Sequence, residues 1–416
     1  MNILEHLESN VRTYSRAFPA IFTNAKGVFM YDDGGKQYID LFAGAGVINY
    51  GHNNPRINGA LIEYLQQDGI LHSLDMFTST KVEFVERFNS IILEPRAMKY
   101  KLQFCGPTGA NAVEAALKLS RKRTGQRGIV AFSNAFHGLS MGALSVTGNQ
   151  YYRNPLFLNS DDVTFAPYDG YYTEGIDTSL ILRQLLTDKS SGLGRPAAII
   201  LETVQAEGGI NVASVEWLRE IERICHEFEI LMIVDDIQVG NGRTGDFFSF
   251  ERSGISPDII VLSKALGGGM PMSLLLMKPE HDVWEPGEHT GTFRGNNLAF
   301  VAGATALRYW KGQNFSRSIK EKGCILGSLL ETLMAKYPGL VKEIRGCGLI
   351  QGLVIAGDGV ASRIAAEAFD RGVVIEVAGA RDQVLKFMPP LIIDTGTLRE
   401  GVAIVSDSLA AVAAEG

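Results

Sequence analysis

The chain has 416 residues, of which 46% are hydrophobic and 20% charged, and it carries a net charge of −7. That length and apolar content suit a soluble globular protein with two domains around a large shared core. The acidic balance argues against a sequence-independent nucleic-acid surface, which needs a basic excess. Cys105, Cys225, Cys324 and Cys347 are widely spaced and form no Cys-x-x-Cys pair, so a reducing cytoplasm is expected and a metal or disulfide framework is not. The first residues carry early acids without an apolar signal core, and no apolar run approaches the ~18 residues that cross a bilayer.

In chain order, Gly27–Leu41 reads as a hairpin turning at Asp32-Asp33-Gly34-Gly35. Short runs of Ile, Val, Leu and Ala then recur at Ile129–Ser133, Ala197–Glu202, Leu231–Asp235, Ile259–Ser263 and Ser273–Met277. They are apolar without alternation, which predicts strands covered on both faces in a parallel or mixed sheet. Helical stretches lie between them. In Ser214–Glu229, for example, Trp217, Ile221, Ile224, Cys225 and Phe228 follow the spacing of a packed helix. Alternating strands and helices predict an α/β layered domain. Beyond about residue 305 the texture changes. Helical stretches at Asn297–Trp310 and Phe315–Tyr337 lead to the glycine-rich Gly346–Leu353 and the apolar Val373–Glu376. The expected division is 60–304 as a large domain, with 1–59 and 305–416 joining in a smaller α+β domain.

Chemistry concentrates at the ends of the apolar runs. Lys264 leaves the Ile259 run onto Gly267-Gly268-Gly269. Burial there disfavours an ammonium, and a neutral amine is a nucleophile that can form a Schiff base. Asp235 ends the Leu231 run, with Gln238 three residues on. A strand-end carboxylate with a strand-end lysine is the pair a pyridoxal phosphate site needs: one holds the aldehyde, the other the proton on the pyridine nitrogen. Asp236 is the weaker candidate for that nitrogen. Gln238 can donate to the ring hydroxyl. Thr108-Gly109-Ala110 opens a helix whose bare N–H groups favour a phosphate. Phe136, followed by His137, can stack on a planar heterocycle. A carboxylate in Glu202–Gly209 can pair with a base in the substrate cavity. Thr292 can cap a phosphate, and Arg294 can grip a carboxylate bidentately. Each of these segments has a plainer reading as a capped turn, a core aromatic or a surface loop.

Taken in this order and spacing, the segments resemble a class III (ω-amino acid) aminotransferase of fold type I over nearly the whole chain. The resemblance implies a large domain with a mostly parallel seven-stranded sheet, a smaller α+β domain from both termini, and pyridoxal 5′-phosphate as cofactor. It implies Lys264 as the Schiff-base residue, Asp235 on the pyridine nitrogen, Gln238 near the ring hydroxyl, and Thr108, Gly109 and Ala110 at the phosphate. It further implies Phe136 and His137 at the ring, Glu207 as a gating glutamate, and Thr292 reaching a partner subunit's phosphate, hence a homodimer. Glu8–Arg16, Ala43–His52 and Thr292–Phe300 are similar to the branch that interconverts L-aspartate 4-semialdehyde and glutamate with L-2,4-diaminobutyrate and 2-oxoglutarate, feeding ectoine or siderophore pathways. Where many members carry an arginine for the 2-oxoglutarate carboxylate, this chain has Lys386, a compact charge without the guanidinium fork. The substrate carboxylate thus falls to Lys386, Arg294 or both. An aminomutase or a decarboxylase of the same fold would use the same lysine.

Overall fold

The computed structural model describes residues 3–158, 162–172 and 175–414. Seven short strands form its central sheet, in the spatial order Lys101–Phe104, Leu274–Met277, Ile259–Leu262, Leu231–Asp235, Ala198–Leu201, Ile129–Phe132, Val163–Ala166. Four of its six pairings are parallel; Leu274–Met277 runs against both of its neighbours. The five strands expected from apolar runs are all present, Leu231–Asp235 with the expected bounds and the other four shorter by a residue at one or both ends. Every residue of these five is buried, as full coverage of both faces requires. The two outermost strands, Lys101–Phe104 and Val163–Ala166, are more polar and more exposed, and sequence pattern alone missed them.

Helices close both faces. Val215–Glu227 starts where Ser214 Oγ accepts from Trp217 N at 3.2 Å, and it buries Trp217, Leu218, Ile221, Ile224 and Cys225. Gly109–Thr124 buries Ala112, Val113, Ala116 and Leu117 against the same sheet and stops at Gly125, whose φ of 70° is the left-handed helix end that glycine adopts most readily.

The N-terminal region forms three strands, Phe22–Lys26, Phe29–Asp32 and Gln37–Asp40, of which the last two are the expected hairpin. The first is mostly exposed and polar, so no alternation announces it. The expected turn is present, closed where Asp32 Oδ1 accepts from Lys36 N at 2.8 Å. Val373–Val374 adds to this sheet in parallel, beside Gln37–Asp40. A second four-stranded antiparallel sheet holds Val341–Cys347, Ile350–Ile355, Val384–Phe387 and Glu376–Ala378. Arg243, fully buried, ties these regions together. Its guanidinium donates to Asn49 Oδ1 at 2.6 Å and to the carbonyls of Leu349 and Pro389. Among the described residues no helix is long and apolar enough to cross a membrane.

Candidate active site

Neighbouring parallel strands place their C-terminal ends at one edge of the sheet, where ligands of open α/β sheets bind. Asp235 is in register with Val261 on the strand that leads to Lys264. Glu202 follows the next strand, and Phe136 and His137 follow Ile129–Phe132. A cavity of about 170 Å³ opens there. Its walls include Gly109, Ala110, Phe136, His137, Glu202, Glu207, Asp235, Gln238 and Lys264. Lys264 sits at φ 50°, a left-handed conformation costing a non-glycine residue about 1–2 kcal/mol. Ser263, just before it, is pinned by donation from its Oγ to the Met272 carbonyl at 2.8 Å. Strain held at one functional residue is a mark of a site over-determined by its surroundings.

Asp235 is fixed on both oxygens. Oδ2 lies 2.7 Å from His137 Nδ1, and Oδ1 accepts from Ile237 N at 3.1 Å. His137 is anchored in turn through its backbone N–H to Thr147 Oγ1 at 3.0 Å, and its Nε2 is buried without a partner. Asp236 does not line the cavity. Its carboxylate accepts from Ser249 N and Ser249 Oγ, and burial pushes its carboxyl up to about 7. The choice between the two aspartates is thus made by side-chain direction, which alternates along a strand end.

Gly109 and Ala110 line the cavity at the N-terminus of a sixteen-residue helix with free N–H groups. A Cβ at position 109 would stand 2.8 Å from Ile237 Cδ1, so any larger residue there would have to push the Ile237 side chain aside. Thr108 is exposed and serves as the cap, Oγ1 accepting from Asn111 N at 3.3 Å. The Phe136 ring meets Tyr152 edge-on at 5.6 Å, and its N–H donates to Glu202 Oε2 at 3.1 Å. Burial, reinforced by Asp235, holds the Glu202 carboxyl well above the usual range.

Behind this cavity lies a cluster of charges. Lys386, fully buried, puts Nζ 2.8 Å from Glu207 Oε1 and 2.8 Å from Glu376 Oε1. Burial alone would lower its ammonium, but the two carboxylates hold it above its ordinary value. Burial likewise pushes Glu207 up, yet Lys386 and Lys264 outweigh it and keep that carboxyl down at about 2. For Glu376 burial wins, and its carboxyl rises to about 7. Burial lowers the Lys264 ammonium, with Glu207 pulling the other way, as expected for an amine that must be free to react. Gln238 Nε2 donates to Glu207 Oε1 and to the Ala45 carbonyl, both at 2.9 Å. Both amide hydrogens are engaged, so the expected donation to a ring hydroxyl is not made in this conformation.

Two expected site residues stay away from Lys264. Thr292 is exposed, its carbonyl 2.6 Å from His72 Nε2. Arg294 is ion-paired with Asp75 and lines a separate cavity with Lys81 and Lys101. The Thr290–Asn296 turn projects from the surface, with Phe293 70% exposed, so within this chain Arg294 does not meet a substrate beside Lys264. Sequence reading also passed over Glu376, Tyr14 and Tyr152. These line an adjoining chamber of about 650 Å³ that Glu207 and Phe136 share with the smaller cavity. The signal for Glu376 was a lone acid closing the apolar Val373-Val374-Ile375.

Residues 11–409 match the family model of class III aminotransferases. The chain belongs to that family. It is 57% identical to a diaminobutyrate–2-oxoglutarate transaminase of Wolinella succinogenes, over 100% of this chain and 97% of the relative. With the protein of the same name from Halalkalibacterium halodurans it shares 49%, over 99% and 97%. Among solved structures, the Toxoplasma gondii ornithine aminotransferase crystallised in the presence of oxidised glutathione, with partial occupancy of pyridoxal phosphate at its active site, superposes with a TM-score of 0.85. Identity there is 25%, covering 99% of this chain and 94% of the other. Pyridoxal 5′-phosphate is the cofactor of this aminotransferase family, and the residues present fit it. An amine of lowered basicity would take the aldehyde, a doubly anchored buried carboxylate would hold the ring nitrogen, and a helix N-terminus kept open by Gly109 would take the phosphate. Bound there, the group supplies an electron sink next to the reacting carbon.

Proposed function

We propose that this class III aminotransferase is a diaminobutyrate–2-oxoglutarate transaminase. It moves the amino group of L-glutamate to the aldehyde carbon of L-aspartate 4-semialdehyde, giving 2-oxoglutarate and L-2,4-diaminobutyrate. The observation that carries this reading is full-length identity of 57% to a relative of that name. The site supports it: a lysine amine of lowered basicity beside a chamber holding both charge signs. With the cofactor bound, the Lys264 amine would carry the proton at the reacting carbon, removing it from glutamate in one half-reaction and delivering it to the former aldehyde carbon in the other. Gln238 orients Glu207. Glu207 covers Lys386 until a substrate carboxylate displaces it, so one cavity serves a five-carbon diacid and a shorter aldehyde. With Glu207→Ala, the glutamate and diaminobutyrate half-reactions should diverge in rate; equal rates would remove the gate.

The same reading includes a homodimer, in which Thr292 reaches the neighbouring subunit's phosphate. It is supported by the apolar groups exposed near that turn, Met76 at 60%, Phe77 at 94% and Phe293 at 70%. It also includes a cytoplasmic location, supply of a precursor for ectoine or siderophore synthesis, and the two-domain division at about residues 60 and 305. Single-turnover spectroscopy of the holoenzyme with L-2,4-diaminobutyrate, 4-aminobutyrate, ornithine and N-acetylornithine tests the substrate. Rapid bleaching of the cofactor band by diaminobutyrate alone, recovered by 2-oxoglutarate, is expected. Faster bleaching by any of the others would overturn the assignment while leaving the family intact.

A further inference from the structure

Counting bonds from the reacting carbon shows what the two amino donors share. In glutamate the far carboxylate lies three carbon–carbon bonds away. In diaminobutyrate reacting at its terminal carbon, the carboxylate also lies three bonds away. The donors differ in two groups: glutamate has a second carboxylate at the reacting carbon, and diaminobutyrate has an ammonium two bonds out. A cation near the cofactor can answer the first difference. The second needs an anion further from Lys264.

Glu376 is such an anion. It sits opposite Lys386 on the neighbouring antiparallel strand, is 7% exposed, and lines the larger chamber without lining the Lys264 cavity. Lys386 needs one counter-ion, and Glu207 already supplies it at 2.8 Å. A second buried carboxylate on the same ammonium carries a desolvation cost that pairing one lysine does not require. The chamber wall carries Glu207, Glu376 and Asp382 against Arg16, with Lys386 behind. Carboxylates outnumber cations on this wall, and a substrate ammonium placed beside Glu376 would favour the ionised form of a carboxyl that burial raises to about 7.

We propose that Glu376 is a specificity residue that holds the non-reacting ammonium of L-2,4-diaminobutyrate, and of L-aspartate 4-semialdehyde, in the larger chamber. In the glutamate half-reaction it keeps Lys386 paired while Glu207 is displaced. This rests on the substrate assignment above.

The test uses the aminated form of the holoenzyme, to which amino donors bind without reacting. Calorimetry gives the affinity ratio of L-2,4-diaminobutyrate to 4-aminobutyrate, which has the same carboxylate spacing and no second ammonium. The native protein should prefer diaminobutyrate. Glu376→Gln should lower the ratio about tenfold, the effect of some 1.4 kcal/mol, and Glu376→Asp, which keeps the charge, should restore part of it. A ratio unchanged in Glu376→Gln, or equal loss for both ligands, would reduce Glu376 to an anchor for Lys386 and overturn the proposal. If Glu376→Gln does not retain cofactor, 4-amino-2-hydroxybutyrate decides on the native protein. It should bind as weakly as 4-aminobutyrate, and binding as tight as diaminobutyrate would overturn the proposal. A native protein that neither binds nor reacts with diaminobutyrate would overturn the substrate assignment itself, a result separate from the variant's ratio.

Discussion

The two cavities that meet at Glu207 are built on different principles. The smaller is walled by the ends of fully buried parallel strands, and its key carboxylate, Asp235, is held on both oxygens. The larger is walled by segments remote from one another in the chain: Thr13–Phe18, the 148–152 loop, and Glu376–Ala378. Several of its side chains stand open to solvent, Tyr14 at 47% and Tyr151 at 86%. Chemistry that must not vary rests on the core, and the groups that choose among substrates rest on its margins. Such a division lets one family keep a reaction while its members change partners.

The sharpest way to break that contrast is at Lys264. Lys264→Ala should leave folding intact and lower turnover by about a thousandfold or more, since both the nucleophile and the proton carrier are lost; stopped-flow half-reactions alongside circular dichroism check it. Lys386→Ala acts on the margin instead. It leaves the buried Glu376 without its cation and Glu207 with only Lys264 and Gln238 to answer it, so stability should fall by about 3–5 kcal/mol in urea unfolding. If Lys386→Ala were as stable as the native protein, the outer chamber would be wetter and looser than its burial indicates.

Asp236 offers a pH test inside the core. Its folded-state value near 7 exceeds the ordinary 3.8, so the folded protein holds a proton that the unfolded chain releases. That contribution is complete below pH 3.8 and is lost as pH rises through 7. Asp236→Asn has no such proton, and its stability relative to the native protein should improve from pH 4 to pH 8, by roughly 4 kcal/mol at most. Denaturant titrations at the two pH values read this directly, and parallel curves would refute it. The smallest effect is expected at the helix cap. Thr108→Ala should cost about 1 kcal/mol, with cofactor affinity falling further only if the hydroxyl also serves the phosphate.

What the sequence made legible follows the same boundary. Lys264, Asp235 and Phe136 were readable because apolar runs announce buried strands and the residues just after such a run fall at the sheet edge; the Gly109 turn was readable from its small residues opening a helix, although the strand before it was missed. The preference for Asp235 over Asp236 agrees with which side chain faces the cavity. Arg294 could not be placed from sequence, because a glycine-rich turn carries no period that says where it points; within the chain it points to Asp75. Gln238 was given one partner and has two others, since an amide's choice depends on neighbours such as Ala45, distant in sequence. Glu376 went unseen because its meaning comes wholly from the strand opposite, which places Lys386 across from it. Cross-strand pairing is long-range information, and local pattern does not contain it.

The parallel pairing of Val373–Val374 with Ile39 and Asp40 has a consequence for how the protein is made. A ribosome delivers Gln37–Asp40 long before its sheet partner Val373–Val374, with the whole central sheet between them. The amino-terminal strands must therefore wait with one edge unpaired while the central sheet, whose seven strands lie between residues 101 and 277, assembles during synthesis. Closure of the N-terminal sheet is a late event, and it also brings Glu376, two residues beyond Val374, to the chamber wall. A chain released early would hold a formed sheet with Lys264 at its edge and no Glu376 strand to complete the outer chamber. The outer chamber is then completed only after the sheet that carries Lys264 has been delivered.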